Sequence, residues 1–200
     1  MIEELGKNYA TYFSILSAIS GGINTQPGIE AALGDKSIGG QIKRLIEDYN
    51  IIVRQRPILA KEGSQTVRYE IQDNFLRFWF NYFDRYRSLI EIKNFVGLQS
   101  IIKKDYPTYS GIMLERYFKQ QFAESFQYRA IGSWWELKGY QNEIDIVGLK
   151  LEKNQAVVAE VKRQKKNFKP EFLVAKTEHL KQKLLPKYRI EMRCLSLEDM

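Results

Sequence analysis

The sequence predicts a mixed α/β (α+β) chain in two parts joined by a helical connector. Three patterns predict it. Apolar residues at helical spacing fill the first fifty positions and then give way to two short strand-like stretches, the second alternating apolar and polar. Residues 73–107 carry a dense run of aromatics, again at helical spacing. From about residue 108 a helical pattern is followed by three strand-like stretches, a further helix and a last strand. Hydrophobic residues make up 44% and charged residues 28%, the balance of an ordinary globular chain, and 200 residues suffice for one domain or two small ones.

The first part, residues 1–72, reads as three helices and a hairpin. Tyr9, Tyr12, Phe13, Leu16 and Ile19 share one helix face, and Gly21-Gly22 can end it. A short helix follows, with Thr25 near its cap and Pro27 in its first turn, and Gly34 stops it. Ser37 is placed to cap a third helix whose buried stripe is Ile38, Ile42, Leu45 and Ile46. Ile51–Arg56 and Thr66–Ile71 then read as strands around a loop of residues 57–65. Three helices and two strands is the order of a winged helix-turn-helix. In that arrangement the third helix presents Gln41, Lys43 and Arg44 to a nucleic-acid groove, beside Glu47, and the loop acts as a wing against phosphates.

In the connector, residues 73–107, Phe75, Trp79, Tyr82, Phe83 and Tyr86 follow the spacing of a buried stripe, so these rings are expected to pack in a core, clamping the two halves, rather than to stack on bases. Pro107 is expected to start a new element. In the last part, residues 108–200, a helix over 112–126 carries Leu114, Phe118 and Phe122. Strands are expected over 128–136, 142–147 and 159–162, a helix over 176–185 and a strand over 188–195.

Composition narrows the chemistry. One cysteine, Cys194, excludes an internal disulfide and a multi-cysteine zinc site, and one histidine, His179, argues against a histidine metal centre or a serine triad. No P-loop pattern occurs, so no ATP site is expected in this chain. No apolar run approaches the roughly 18 residues that span a bilayer, and the start Met1-Ile2-Glu3-Glu4 is not that of a signal peptide, so a cytoplasmic location without a membrane partner is expected. The net charge of +7 is concentrated. Residues 36–68 hold 7 basic and 3 acidic side chains, and residues 162–193 hold 11 and 3. Arg54, Arg56 and Arg68 in the first patch, with Lys165 and Lys166 in the second, are the added candidates for nucleic-acid contact, against the plain alternative of a solvated lysine-rich face.

Asn142–Val147 and Ala159–Lys162 carry the chemistry that remains. Residues two apart on a strand share a face, so Glu160 and Lys162 point one way while Val161 points into a core, and Asp145 can lie beside Glu160 if the strands pair as a hairpin. Two carboxylates and a lysine at a sheet edge suit a divalent cation and phosphodiester chemistry. The plain alternative is a set of exposed cross-strand ion pairs, with Glu115 and Lys119 pairing along their helix.

Asp145, Glu160 and Lys162 in this spacing resemble the core of the PD-(D/E)xK nuclease superfamily. Ile144 stands where the motif's proline would be. The resemblance implies that Asp145 and Glu160 hold Mg²⁺ or Mn²⁺, that Glu115 on the preceding helix assists, and that Lys162 orients the attacking water and stabilises developing phosphate charge. Glu143 shares Asp145's face and is its rival for that role. The block Asp73-Asn74-Phe75-Leu76-Arg77-Phe78-Trp79-Phe80, with Trp134-Trp135, Glu143-Ile144-Asp145 and Glu160-Val161-Lys162, is similar to the C-terminal region of archaeal and bacterial AAA-type ATPases, in which a winged helix and a nuclease-like domain follow the ATPase domain. This implies a nucleic-acid-binding effector, with DNA as the expected partner and an ATPase domain in cis or in trans. The alternatives are an inactive regulatory or protein-interaction module of such an ATPase, and a winged-helix DNA-binding regulator.

Overall fold

The computed structural model describes residues 9–61, 63–136 and 142–200. The chain is a mixed α+β protein with two sheets and divides into two compact units. One comprises the chain up to Gln55 together with Val67–Lys103, and the other comprises Arg56–Thr66 with Lys104–Met200. No described helix is long and apolar enough to cross a membrane.

In the first unit, α1 (Tyr9–Ser20) buries Tyr12, Ile15, Leu16 and Ile19. It ends in a Schellman turn, with Ile23 N–H donating to the Ala18 carbonyl at 2.9 Å and Gly22 N–H to that of Ile19 at 3.1 Å. Gly22 occupies the left-handed position, φ 94°, that this turn requires. Helix α2 (Gln26–Ala32) follows, then α3 (Gly39–Glu47). Neither start uses the expected hydroxyl cap. Thr25 is at the N-cap of α2 without a side-chain bond, and Ile38, not Ser37, occupies that place in α3. Ile38 N–H is met instead by the Glu30 carboxylate of α2 at 3.2 Å. A carboxylate from another helix thus satisfies the N-cap donor, one of the groups a helix start leaves unpaired.

Strands β1 (Ile52–Gln55) and β2 (Arg68–Ile71) pair antiparallel from Ile52↔Ile71 to Gln55↔Arg68. Asp73 then caps α4 (Asn74–Phe78), accepting from Leu76 N–H at 2.7 Å. Next comes a π-helical turn, Trp79–Asp84, which re-phases the aromatic stripe. Phe75, expected inside, is 68% exposed, Tyr82 is buried as expected, and Phe80, off the expected spacing, is buried with it. Phe13 meets Trp79 and Phe80 edge-to-face at 5.8 and 5.3 Å, tying this turn into the α1–α3 core. A short helix, α5 (Arg87–Glu91), follows.

Helix α6 (Phe95–Glu124) runs through Pro107, where a new element was expected. The proline withholds one backbone donor from the helix, and Ser110 donates its hydroxyl to the Tyr106 and Pro107 carbonyls at 2.6 and 3.3 Å nearby. Length and the apolar positions after it keep the helix going.

The second sheet has the order β3 (Tyr128–Trp134), β4 (Ile144–Lys150), β5 (Gln155–Val161), β6 (Arg189–Leu195). The first three strands are antiparallel, and β6 runs parallel to β5, from Gln155↔Arg189 to Val161↔Leu195. Helix α7 (Pro170–Leu184) makes the crossover that a parallel pair needs. Leu114, Phe118 and Phe122 of α6 cover Ile146, Val157, Ala159 and Val161. On the other face Leu173 and Leu180 of α7, with Leu185, cluster with Val147, Leu149, Ala156 and Val158.

The loop expected to be a wing, residues 57–65, begins as part of this second unit rather than as a projecting turn; its Glu62 lies outside the described residues. Ile58 N–H donates to the Ser133 carbonyl at 2.8 Å, and the Ile58 side chain joins the cluster of Trp134 and Ile144. An isoleucine that can be buried outweighs the solvent exposure that a wing would require.

Candidate active site

The carboxylates come together because the β4–β5 ladder stops just before them. Its last pair is Ile146↔Ala159. One step further, Asp145 and Glu160 stand opposite each other, and the Asp145 carboxylate accepts the Val161 N–H through Oδ2 at 2.7 Å. Ser133 fixes the same point by donating its hydroxyl to the Asp145 carbonyl at 2.8 Å. Lys162 continues β5 by one residue, its N–H donating to the Leu195 carbonyl at 2.9 Å. The alternation expected from the sequence holds, since Val161 is buried between the half-buried Glu160 and Lys162.

Glu160 is the hub. Lys162 Nζ donates to its Oε1 at 2.9 Å. Lys176, from α7, reaches both its oxygens, at 3.3 Å to Oε1 and 3.2 Å to Oε2. Burial first, and then the Glu160 charge, push the Asp145 carboxyl up to about 6, against the pull of the Val161 N–H, Lys162 and Lys119. For Lys162, burial is the largest influence and works to lower the pKa, but Glu160, Asp145 and Glu115 together outweigh it and leave the ammonium above its ordinary value. Lys162 is therefore a fixed cation at neutral pH, suited to stabilise phosphate charge rather than to accept a proton.

These residues fit a hard divalent cation held by few protein ligands. Asp145 keeps one carboxylate oxygen without a hydrogen bond from any described residue. It also faces a like charge whose repulsion a cation would relieve. Mg²⁺ commonly takes one or two carboxylates and fills its shell with water and phosphate. Among the described residues no group of three or more His, Cys, Asp or Glu side chains gathers as a metal site, so Glu115 does not complete a three-carboxylate cluster with Asp145 and Glu160. The Glu115 charge is among those that raise the Lys162 pKa. Glu143 precedes β4, and it is Asp145 that bonds Val161.

The sequence did not single out Lys176. Its signal was there: the residue falls between Leu173 and Leu180 on the apolar stripe of α7, a position where a lysine needs a partner. The same helix carries His179 and Lys183, both directed at Glu136. His179 Nε2 lies 3.2 Å from each Glu136 oxygen, Lys183 donates to Oε1, and Asn142 donates to Oε2 at 2.7 Å. The Lys183 hydrogen bond, helped by Asn142 and His179 against the cost of burial, holds the Glu136 carboxyl down at about 2.

The candidate nucleic-acid contacts belong to separate units. Gln41, Lys43, Arg44, Arg54 and Arg68 are in the first, and Arg56, Lys165 and Lys166 are in the second. Lys43, Arg44, Arg54, Arg56, Lys165 and Lys166 are exposed, while Gln41 and Arg68 are half-buried. Lys43 pairs with Glu47 one turn along α3 at 3.7 Å.

Residues 79–181 match DUF234, a family described as archaeal and bacterial proteins of unknown function. An uncharacterized protein of Methanocaldococcus jannaschii is 36% identical over 163 residues, which are 76% of this chain and 35% of that protein. The chain thus spans about a third of that relative's length. No solved structure matches. The matched segment contains the β4–β5 pair and all of Glu115, Asp145, Glu160, Lys162 and Lys176, and on this match the chain belongs to the DUF234 family.

Proposed function

We propose that this chain is a nucleic-acid-binding protein whose second unit is a metal-dependent nuclease of PD-(D/E)xK type, and that it is the effector region of an AAA-type ATPase. The observation that carries this reading is the meeting of Asp145, Glu160 and Lys162 where the β4–β5 ladder ends. The order of helix, three strands, helix and strand supports it, with α6 and α7 on opposite faces of the sheet. The three helices and hairpin of the first unit support a winged-helix origin for that part. In the archaeal relative the matched stretch is 35% of the protein, which leaves length there for an ATPase domain.

In this reading Asp145 and Glu160 hold Mg²⁺ or Mn²⁺, and Glu115 steadies the charge of Lys162. The cation supplies Lewis acidity toward phosphate and a more acidic water. Lys162 stabilises the negative charge that builds on the phosphate oxygens during displacement. Basic side chains, among them Lys165 and Lys166, hold the backbone of the substrate, for which DNA is the first choice.

Incubating the chain with DNA or RNA and Mg²⁺ or Mn²⁺ tests this. Cleavage is expected, and Glu160→Ala and Lys162→Ala are each expected to lower it about 10²–10³-fold. Activity that survives both changes and chelation would come from a contaminant and would sink the nuclease assignment. DNA affinity is expected to fall steeply with added salt as phosphate contacts release counterions. One observation favours a second reading, an inactive regulatory module: two ammonium groups already compensate Glu160. Salt-dependent DNA binding without cleavage would select it.

A further inference from the structure

Lys176 is an unusual lysine. Its side chain is only 18% exposed, and it sits on α7 between Leu173 and Leu180, which are themselves 2% and 0% exposed. Among the described residues its partner is Glu160, bridged across both oxygens at 3.2 and 3.3 Å. Drawing an ammonium this far from water is costly unless a charge compensates it. Lys162 differs. It is 35% exposed, is fixed through its backbone at Leu195, and feels Asp145 and Glu115 as well as Glu160.

A hard cation binds through carboxylate lone pairs. On Glu160, Lys162 takes one oxygen and Lys176 spans the pair. Lys162 is held by Asp145 and Glu115 as well as Glu160, whereas among the described residues Lys176 is tied to the site through Glu160 alone, so Lys176 is the one that a cation on Glu160 would release. We propose that Lys176 is a built-in occupant of the cation position: it holds and aims the Glu160 carboxylate in the metal-free protein and is displaced when Mg²⁺ or Mn²⁺ binds. The inference rests on the reading of Asp145 and Glu160 as cation ligands and adds a positioning residue that competes with the ion. The site therefore loads only when the cation concentration overcomes that competition.

Mn²⁺ uptake by the full chain, followed through loss of the free-ion electron paramagnetic resonance signal, reads the competition without any need for turnover. Lys176→Gln is expected to bind Mn²⁺ roughly five- to tenfold more tightly, the scale of one partly screened charge removed from a ligand. Lys176→Arg, which keeps the charge, is expected to return to wild-type affinity. In the wild-type chain labelled with ¹⁵N-lysine, saturating Mg²⁺ is expected to shift the Lys176 ammonium resonance, and this measurement decides the matter should the glutamine variant fold poorly. Unchanged or weaker Mn²⁺ binding by Lys176→Gln, or a Lys176 signal indifferent to saturating Mg²⁺, overturns the displacement while leaving the cation site standing. Absence of Mn²⁺ uptake by the wild type and both variants overturns the proposal and the metal-dependent nuclease together.

Discussion

Asp145→Asn is expected to abolish cleavage and, in metal-free buffer at neutral pH, to make the folded chain more stable. The two effects have one origin. Asparagine keeps an oxygen to accept the Val161 N–H, now 2.7 Å from Oδ2, but it brings no charge into a buried position beside Glu160. The folded carboxyl titrates at about 6 against 3.8 for the ordinary group. A pKa raised on folding favours the folded state at low pH: the contribution is complete below the unfolded value and is lost as pH rises through the folded one. Wild-type stability should therefore fall between about pH 4 and 6 by up to ~3 kcal/mol, the ceiling for one carboxyl displaced this far. The asparagine variant should lack this fall, and it should lose roughly 10³-fold or more in cleavage rate. Chemical denaturation in chelator at pH 5 and 7 checks the first part. Equal pH slopes in the two proteins would show that Asp145 is not held against its charge. Glu136 acts in the opposite sense. With its carboxyl at about 2, its stabilisation is complete above the ordinary value of 4.5 and fades as pH falls through about 2.

Gly148→Ala is expected to destabilise the second unit by ~1–3 kcal/mol through overpacking. A methyl group there would lie 2.7 Å from two ring atoms of Tyr128 and 3.4 Å from Phe122. The tyrosine cannot simply retreat, because its ring is stacked on Phe122 at 4.9 Å with 12° between planes, and Phe122 is buried in the cluster under α6. Strand β4 would have to move, and Asp145 lies on that strand three residues away. Urea denaturation of Gly148→Ala, with and without Tyr128→Ser, separates the causes. The penalty should shrink markedly once the ring is gone. An equal penalty in both backgrounds would place the effect in the backbone and not in the stack.

The parts of this molecule that the sequence announced are those governed by local periodicity. Asp145, Glu160 and Lys162 were legible because a two-residue repeat and a short hairpin fix which side chains share a face. The α1 stop was legible from Gly21-Gly22 for the same reason. What local rules could not supply was anything set by distant partners. Ile38 rather than Ser37 stands at the N-cap of α3, its N–H held by Glu30 of α2, and Lys176 reached Glu160 from a helix whose docking no spacing rule encodes. The π-helical turn re-phases the aromatic stripe, so Tyr82 is buried as its spacing predicts, but Phe80, off that spacing, is buried too, while Phe75 is exposed. Pro107 misled in another way. The roughly 3 kcal/mol that an interior proline costs is outweighed by the burial of Leu114, Phe118 and Phe122 in the helix's second half.

The excursion of residues 56–66 makes the two units interleaved rather than consecutive. The chain enters the second unit, returns to the first at Val67, and leaves it finally after Lys103. Ile58 is thus a piece of the C-terminal core stored inside the N-terminal hairpin, 74 positions before the strand residue Gly132 that it presses against, where a Cβ would come within 3.2 Å of it. Any partition of the sequence into a front half and a back half severs this core, including the stretch from 79 to 181 that defines the family match. The burial of Ile58 in this cluster thus depends on strand residues more than seventy positions further along the chain.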